Sequence, residues 1–208
     1  MVNVNRKGES VGAFYGYQSQ GIVRERHLLY TPPYNGTRLQ EGDIKFIDKD
    51  GDGNVTEKDR TVIGNPNPSY RYGLSTRAAW RNLSLTVTMD GAADFDIMNL
   101  NLLNTATFAT GNYSNLRSDS YRKAYPAGGE PRLNAVGADV VSSRFVEDGS
   151  YLRLSNVQVS YRFDIGRKWL RSVDLAFTAK NLCVLTGYSG YSPMVGSYTY
   201  DLSRYGVD

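Results

Sequence analysis

Residues 48 to 59 read DKDGDGNVTEKD, with oxygen-bearing side chains at alternate positions. Asp48, Asp50 and Asp52 bring three carboxylates close together, Asn54 offers a backbone carbonyl, Thr56 a hydroxyl, and Asp59 a fourth carboxylate at the twelfth position. Ca²⁺ takes six to eight hard oxygens at about 2.3–2.6 Å, and a twelve-residue loop delivers them from positions 1, 3, 5, 7, 9 and 12. Gly53 stands at position 6, where such a loop turns sharply, and Val55 is the apolar plug at position 8. Three carboxylates this close repel one another unless a cation lies among them. The spacing therefore predicts a Ca²⁺ site formed by Asp48, Asp50, Asp52, Asn54, Thr56 and Asp59. Asp59 replaces the usual bidentate Glu, which lowers the expected affinity. The bland alternative is a solvated acidic turn with no metal. The flanking sequence is extended rather than helical, so the ion would staple a loop, not work a switch between two helices.

The other reactive side chains offer little. His27 is the single histidine, so no multi-His metal centre can be built from the chain, and no Ser-His-Asp or Cys-His set is evident. Glu147 and Asp148 are adjacent, and in a strand they point to opposite faces, so they do not pair as acid and base by sequence. Cys183 shares the phase of Phe177 and reads as a small hydrophobe; as the only cysteine it excludes an internal disulfide. No phosphate-binding glycine loop is present. The tyrosines of GYSGYSPMVGSYTY could stack on sugars, form an interfacial girdle, or simply pack. No enzymatic activity is expected.

The elements that must carry the loop are strands. Tyr70, Tyr72, Leu74, Thr76 and Ala78 share one face, and Leu83, Leu85, Val87 and Met89 alternate with Ser84, Thr86, Thr88 and Asp90. Val157, Val159, Tyr161 and Phe163 alternate in the same way, as do Val173, Leu175, Phe177 and Ala179. This is the period of two of a strand with unlike faces. Leu152 and Leu154 fall in the opposite phase to Val157, which predicts a bulge near Ser155 and Asn156. WRN (Trp80 to Asn82) and GRKWLRS are short links, whereas residues 93 to 143 lose the alternation, with a weakly helical stretch, FDIMNLNLLNTATFA. Residues 1 to 69 read as irregular, closed by the turn-rich GNPNP. The result is two long hairpins with short links at one end and long connections at the other. Up-and-down membrane barrels have that asymmetry. A soluble sheet with one wet face has the same alternation and is commoner.

Composition bounds the rest. The chain has 208 residues, 40% hydrophobic, with 21 Gly and 16 Tyr, which suits an all-β chain rich in turns. The net charge of +3 comes from scattered residues, so no basic run marks a nucleic-acid partner. No apolar run is long enough for a transmembrane helix, and no signal peptide is visible. A membrane role would need a β-barrel. Met1 leads directly into sequence that reads as mid-protein.

The motifs in order are EGDIKFIDKDGDGNVTEKDRTVIGNPNPSYRYGLS, SRFVEDGSYLRLSNVQVSYRF and LAFTAKNLCVLTGYSGYSP. From about Gly12 to Pro193 this order resembles the C-terminal part of SusC/RagA-type TonB-linked outer-membrane proteins, the nutrient transporters of Bacteroidetes. The resemblance implies part of a large antiparallel transmembrane β-barrel with long extracellular loops. It divides the chain into an extracellular segment with the calcium-like loop (1–69), a barrel hairpin (70–92), an extracellular loop (93–143), a second hairpin (144–186) and a last loop (187–208). The plug, the closing strand and most of the barrel would lie outside this sequence. The implied partners are a SusD-like surface lipoprotein, TonB acting through the absent N-terminal part, an oligosaccharide or peptide substrate, and outer-membrane lipid. Cys183 stands where that family more usually has an aromatic. The competing expectation is a soluble, calcium-stapled β-module that binds surface glycans.

Overall fold

The computed structural model describes residues 2–25, 28–105, 130–132 and 134–194. His27 and most of the stretch after Thr105 lie outside the described residues. The chain forms two compact units: Pro68–Phe95 with Gly149–Tyr188, and Met1–Asn67 with Asp96–Asp148 and Ser189–Asp208. Its strands in chain order are β1 (Asn3–Val4), β2 (Ala13–Gly16), β3 (Ser19–Ile22), β4 (Ile44–Phe46), β5 (Thr61–Gly64), β6 (Tyr70–Trp80), β7 (Leu83–Ala93), β8 (Asp96–Met98), β9 (Val146–Asp148), β10 (Tyr151–Arg167) and β11 (Leu170–Thr186). The described helix is slight: α1 (Leu100–Thr105) and short 3-10 turns. The fold is all-β and antiparallel.

The four long strands make one open sheet in the order β11-β10-β7-β6. Its register aligns the alternating residues of all four strands. Trp80 lies opposite Leu83, Leu83 opposite Tyr161, and Tyr161 opposite Leu175. The next row on that face is Ala78, Leu85, Val159 and Phe177; further along come Leu74, Met89, Leu154 and Cys183. Rows of the other face are polar: Arg77, Thr86, Gln158 and Thr178, then Ser75, Thr88, Asn156 and Lys180. A one-residue slip would exchange the two faces, so this register is strongly specified.

The phase break in β10 is a register shift between Leu154 and Asn156 against both neighbours. The extra residue, Ser155, donates its hydroxyl to the Thr88 carbonyl at 3.0 Å. That absorbs one residue and returns Leu152 and Leu154 to the apolar face. Gly91 sits opposite Tyr72 on that face. A Cβ at Gly91 would meet the Tyr151 carbonyl oxygen and the Tyr72 ring, the latter at 2.5 Å. The Tyr72 hydroxyl donates to the Tyr151 carbonyl at 2.8 Å, so the ring lies across the bare glycine and is held there.

The other unit is less irregular than residues 1 to 69 read in sequence. β1, β2 and β5 form a small sheet, β3 pairs with β4, and β8 with β9. Two apolar clusters support it. One gathers Tyr17, Ile44, Phe46 and Val55 with Tyr34 against it. The other gathers Phe14, Met98 and Phe145. Asp43 is fully buried and satisfied: its carboxylate takes Arg132 Nε at 2.7 Å, the Val136 N–H at 3.0 Å and the Gln40 N–H at 2.8 Å.

Candidate functional site

The acidic loop folds around its own first residue. Asp48 Oδ1 accepts the Gly51 N–H at 2.7 Å and Oδ2 the Gly53 N–H at 2.8 Å. Asp50 accepts from the Asp52 N–H and Asp52 from the Asn54 N–H, two successive Asx turns. Gly51 and Gly53 take φ of 75° and 86°, where a Cβ would be strained. These turns bring carboxylate oxygens of Asp48, Asp50 and Asp52 within 4.8 Å of one another, with Asp50 and Asp52 exposed.

The remaining three predicted ligands are placed differently. The Asn54 side chain accepts the Gly36 N–H at 2.9 Å, so the side chain of position 7 is tied to the neighbouring turn. Thr56 caps a short 3-10 turn (Glu57–Asp59) in a reciprocal capping box with Asp59. Asp59 is 1% exposed, and its two oxygens accept three backbone N–H groups: Lys49 at 2.7 Å, Asp50 at 3.2 Å and Thr56 at 2.7 Å. Burial alone would raise its pKa. The bonds from Thr56, Lys49 and Asp50 outweigh that and hold the carboxyl below its ordinary value. Asp59 thus ties the two ends of the loop together.

Val55, the position 8 plug, is buried and makes a parallel bridge with Tyr34. Its N–H donates to the Pro33 carbonyl at 2.8 Å, and its carbonyl accepts the Asn35 N–H at 2.8 Å. The Pro-Pro turn thereby provides the edge on which the loop is mounted, a tertiary pairing that sequence reasoning missed. The donor chemistry fits a hard divalent cation: clustered anionic oxygens, a main-chain carbonyl in reach of the sequence spacing, and glycines at the turns.

The second candidate surface is the long sheet. Its apolar face is bare: Phe177 is 73% exposed, Leu175 65% and Leu74 58%. Such a face on a water-soluble protein would be packed against another layer. The polar face is laced by cross-strand bonds. Arg153 pairs with Asp90 at 2.8 Å, Arg162 with Asp174 at 2.8 Å, and Ser84 with Ser160 at 2.7 Å. Cys183 is exposed within the apolar rows, as its phase predicts. Glu147 accepts from Asn99 Nδ2 at 2.8 Å and from the Ser189 N–H and hydroxyl at 2.8 and 2.7 Å.

No protein-family model matches the chain. Individual proteins do. TonB-dependent receptor P3 of Formosa agariphila is 30% identical over 195 residues, which is 90% of this chain and 19% of the receptor. TonB-dependent receptor SusC of Bacteroides thetaiotaomicron is 22% identical over 208 residues, 94% of this chain and 18% of SusC. Among solved structures, the RagAB peptide transporter superposes with a TM-score of 0.67 at 18% identity, covering 88% of this chain and 20% of that one. The RagAB peptide importer in its closed-closed state gives 0.70 at 19% identity, over 94% and 22%. The chain spans about a fifth of the length of the curated relatives it matches. Its fold is that of an open piece of antiparallel barrel wall with its loops. The resemblance carried by the motifs therefore holds along most of the sequence: the chain is a relative of the TonB-dependent receptors. SusC lies among the receptors it resembles, and RagAB among the structures that share its fold.

Proposed function

We propose that this chain is a wall segment, with extracellular loops, of a TonB-dependent outer-membrane transporter that imports glycans or peptides together with a SusD-like lipoprotein. The observation that carries this reading is the pair of unlike faces on the four-stranded sheet. Apolar side chains line up across all four strands and stand exposed, while the opposite face is polar and hydrogen-bonded. A membrane barrel needs that division, with lipid outside and a watery lumen inside. A soluble glycan-binding module has no use for a bare apolar face of this extent. On this reading the links after Trp80 and Arg167 are periplasmic, and the acidic loop is extracellular. Its Asp48, Asp50, Asp52, Asn54, Thr56 and Asp59 would hold Ca²⁺ as a structural ion.

Spin labels at Leu85, Val87, Val159 and Phe177 in the full-length protein test the reading. Oxygen-accessible, water-poor environments at all four are expected. Aqueous environments there would remove the wall assignment and restore the soluble module.

A further inference from the structure

The two ends of the long sheet differ sharply in charge. At the short-link end stand Arg81, Arg167, Lys168 and Arg171, all exposed. Of the two carboxylates nearest them in the strands, Asp174 is paired with Arg162 at 2.8 Å, while Asp164 accepts from Asn82 Nδ2 at 2.9 Å and keeps its charge, so cations still outnumber anions at this end. Two tryptophans accompany the cations. Trp80 is 70% exposed, with the Arg81 guanidinium 5.2 Å from its ring centroid, and Trp169 is 77% exposed. The described residues at the opposite end include Tyr70, Tyr72, Tyr151, Arg71 and Asp94, with no comparable cluster of cations among them. Arg171 also continues the odd-numbered phase of Val173, Leu175 and Phe177 on β11. It therefore ends the apolar face on a charge.

We infer that the short-link end of the sheet binds the phosphate headgroups of anionic phospholipid. This rests on the transporter reading given above. The apolar rows run from Val173 to Leu185 on β11. That is about 40 Å along the strand, or about 30 Å of height at the tilt barrel strands take, so the band spans a hydrocarbon layer. Its lower boundary then falls at Arg171 and the two tryptophans. Indole rings favour that interface, and guanidinium groups bind phosphate oxygens in pairs. An arginine in phase with lipid-facing side chains extends its apolar stem along the face and its head into the phosphate layer. Arg81, Arg167 and Lys168 add charge at the same boundary. Zwitterionic lipid would satisfy the tryptophans alone; the clustered excess of cations selects a net negative headgroup.

The test uses the full-length receptor in vesicles, with Cys183→Ala and any other cysteine removed. A bimane label is placed at Ile165→Cys, at the end of the apolar phase. Quenching is compared between headgroup-nitroxide phosphatidylglycerol and headgroup-nitroxide phosphatidylcholine. Stronger quenching by phosphatidylglycerol is expected, on the order of fivefold in association for each cation engaged. The combined variant Arg81→Gln, Arg167→Gln, Lys168→Gln, Arg171→Gln should bring the two lipids level, while Arg71→Gln at the other end leaves the preference intact. If that combined variant does not fold, salt titration of the parent replaces it: added salt should erase the preference, and a salt-independent preference overturns the inference. Equal, strong quenching by both lipids overturns the inference while leaving the sheet in the bilayer. Quenching by neither places Ile165 away from the headgroups, and then the wall reading itself falls.

Discussion

Asp59 gives the sharpest test of the acidic loop, because its role as a clasp can be separated from a role as a ligand. Its carboxylate is 1% exposed and accepts three main-chain N–H groups, two at 2.7 Å and one at 3.2 Å. Asp59→Asn keeps the shape but turns one acceptor into a donor. If Oδ1 stays on Lys49 and Asp50, the new amide faces the Thr56 N–H, and one charge-assisted bond becomes a clash of donors. Losing such a bond and stranding a buried donor costs about 2–3 kcal/mol. That converts to a rise of roughly thirty- to a hundredfold in the opening equilibrium of the loop, at about 1.4 kcal/mol per tenfold. Hydrogen exchange of the Lys49, Asp50 and Thr56 amides in the full-length receptor, in calcium-free buffer, reads it directly. Unchanged protection at those three amides would refute the clasp. The pH dependence has a definite sign. The folded pKa lies below the unfolded value of about 3.9, so the carboxylate's contribution is complete above that value and is lost as pH falls through the folded pKa. Protection of the three amides should therefore hold from neutral pH down to about 4 and collapse below it.

Other perturbations follow from the same geometry. Asp50→Ala combined with Asp52→Ala should abolish any calcium-dependent protection of residues 48 to 56 and leave the strands untouched; isothermal titration of parent and variant with Ca²⁺ checks it, and a parent that binds no Ca²⁺ defeats the metal assignment. Gly91→Ala drives a methyl into the Tyr151 carbonyl and the Tyr72 ring, and overpacking of this kind costs about 1–3 kcal/mol. Tyr72→Phe loses only the 2.8 Å hydroxyl bond, about 1 kcal/mol, so urea-induced unfolding in detergent should rank the alanine variant below the phenylalanine one. Asp43→Ala strands the Gln40 and Val136 N–H groups and removes the partner of Arg132; about 3 kcal/mol of local stability should go, seen as faster exchange around residues 40–44 and 132–136.

The long strands were legible because each has enough residues for a period of two to declare itself. Even the bulge showed, since Leu152 and Leu154 could not share a face with Val157 without one. An irregularity in β11 did not show. Asn181 takes a φ of 52°, and Lys180 to Cys183 spans three steps against two on β10, yet the apolar positions on either side, Ala179 and Cys183, keep the same odd phase. The strands β1 to β5 have two to four residues each, too few for any periodicity, and tertiary pairing decides them. The Asp48, Asp50 and Asp52 cluster follows from local spacing, and the structure brings it together. Asp59 is a different case. An acid at the twelfth position suits both cation binding and main-chain capping, so residue type alone cannot separate the two. Asp43 and the Tyr34–Val55 bridge depend on partners up to some ninety residues away and leave no local pattern.

The β7–β10 ladder has a consequence for how the wall is assembled. The β6–β7 and β10–β11 hairpins close through short links and can form early and locally. Joining them requires Ala92 and Tyr151 to meet in one ladder across the whole intervening connection. Closing an excursion of that length costs about 3–4 kcal/mol of chain entropy, which is recovered only once the central rows have zipped. The central seam is therefore expected to form after the two hairpins, which are the units it joins. The same relation is forgiving in the other direction: doubling the connection would add only about 0.6 kcal/mol. Entropy sets almost no limit on the length of the connection between the hairpins, so it can lengthen and diversify while the strands keep their register.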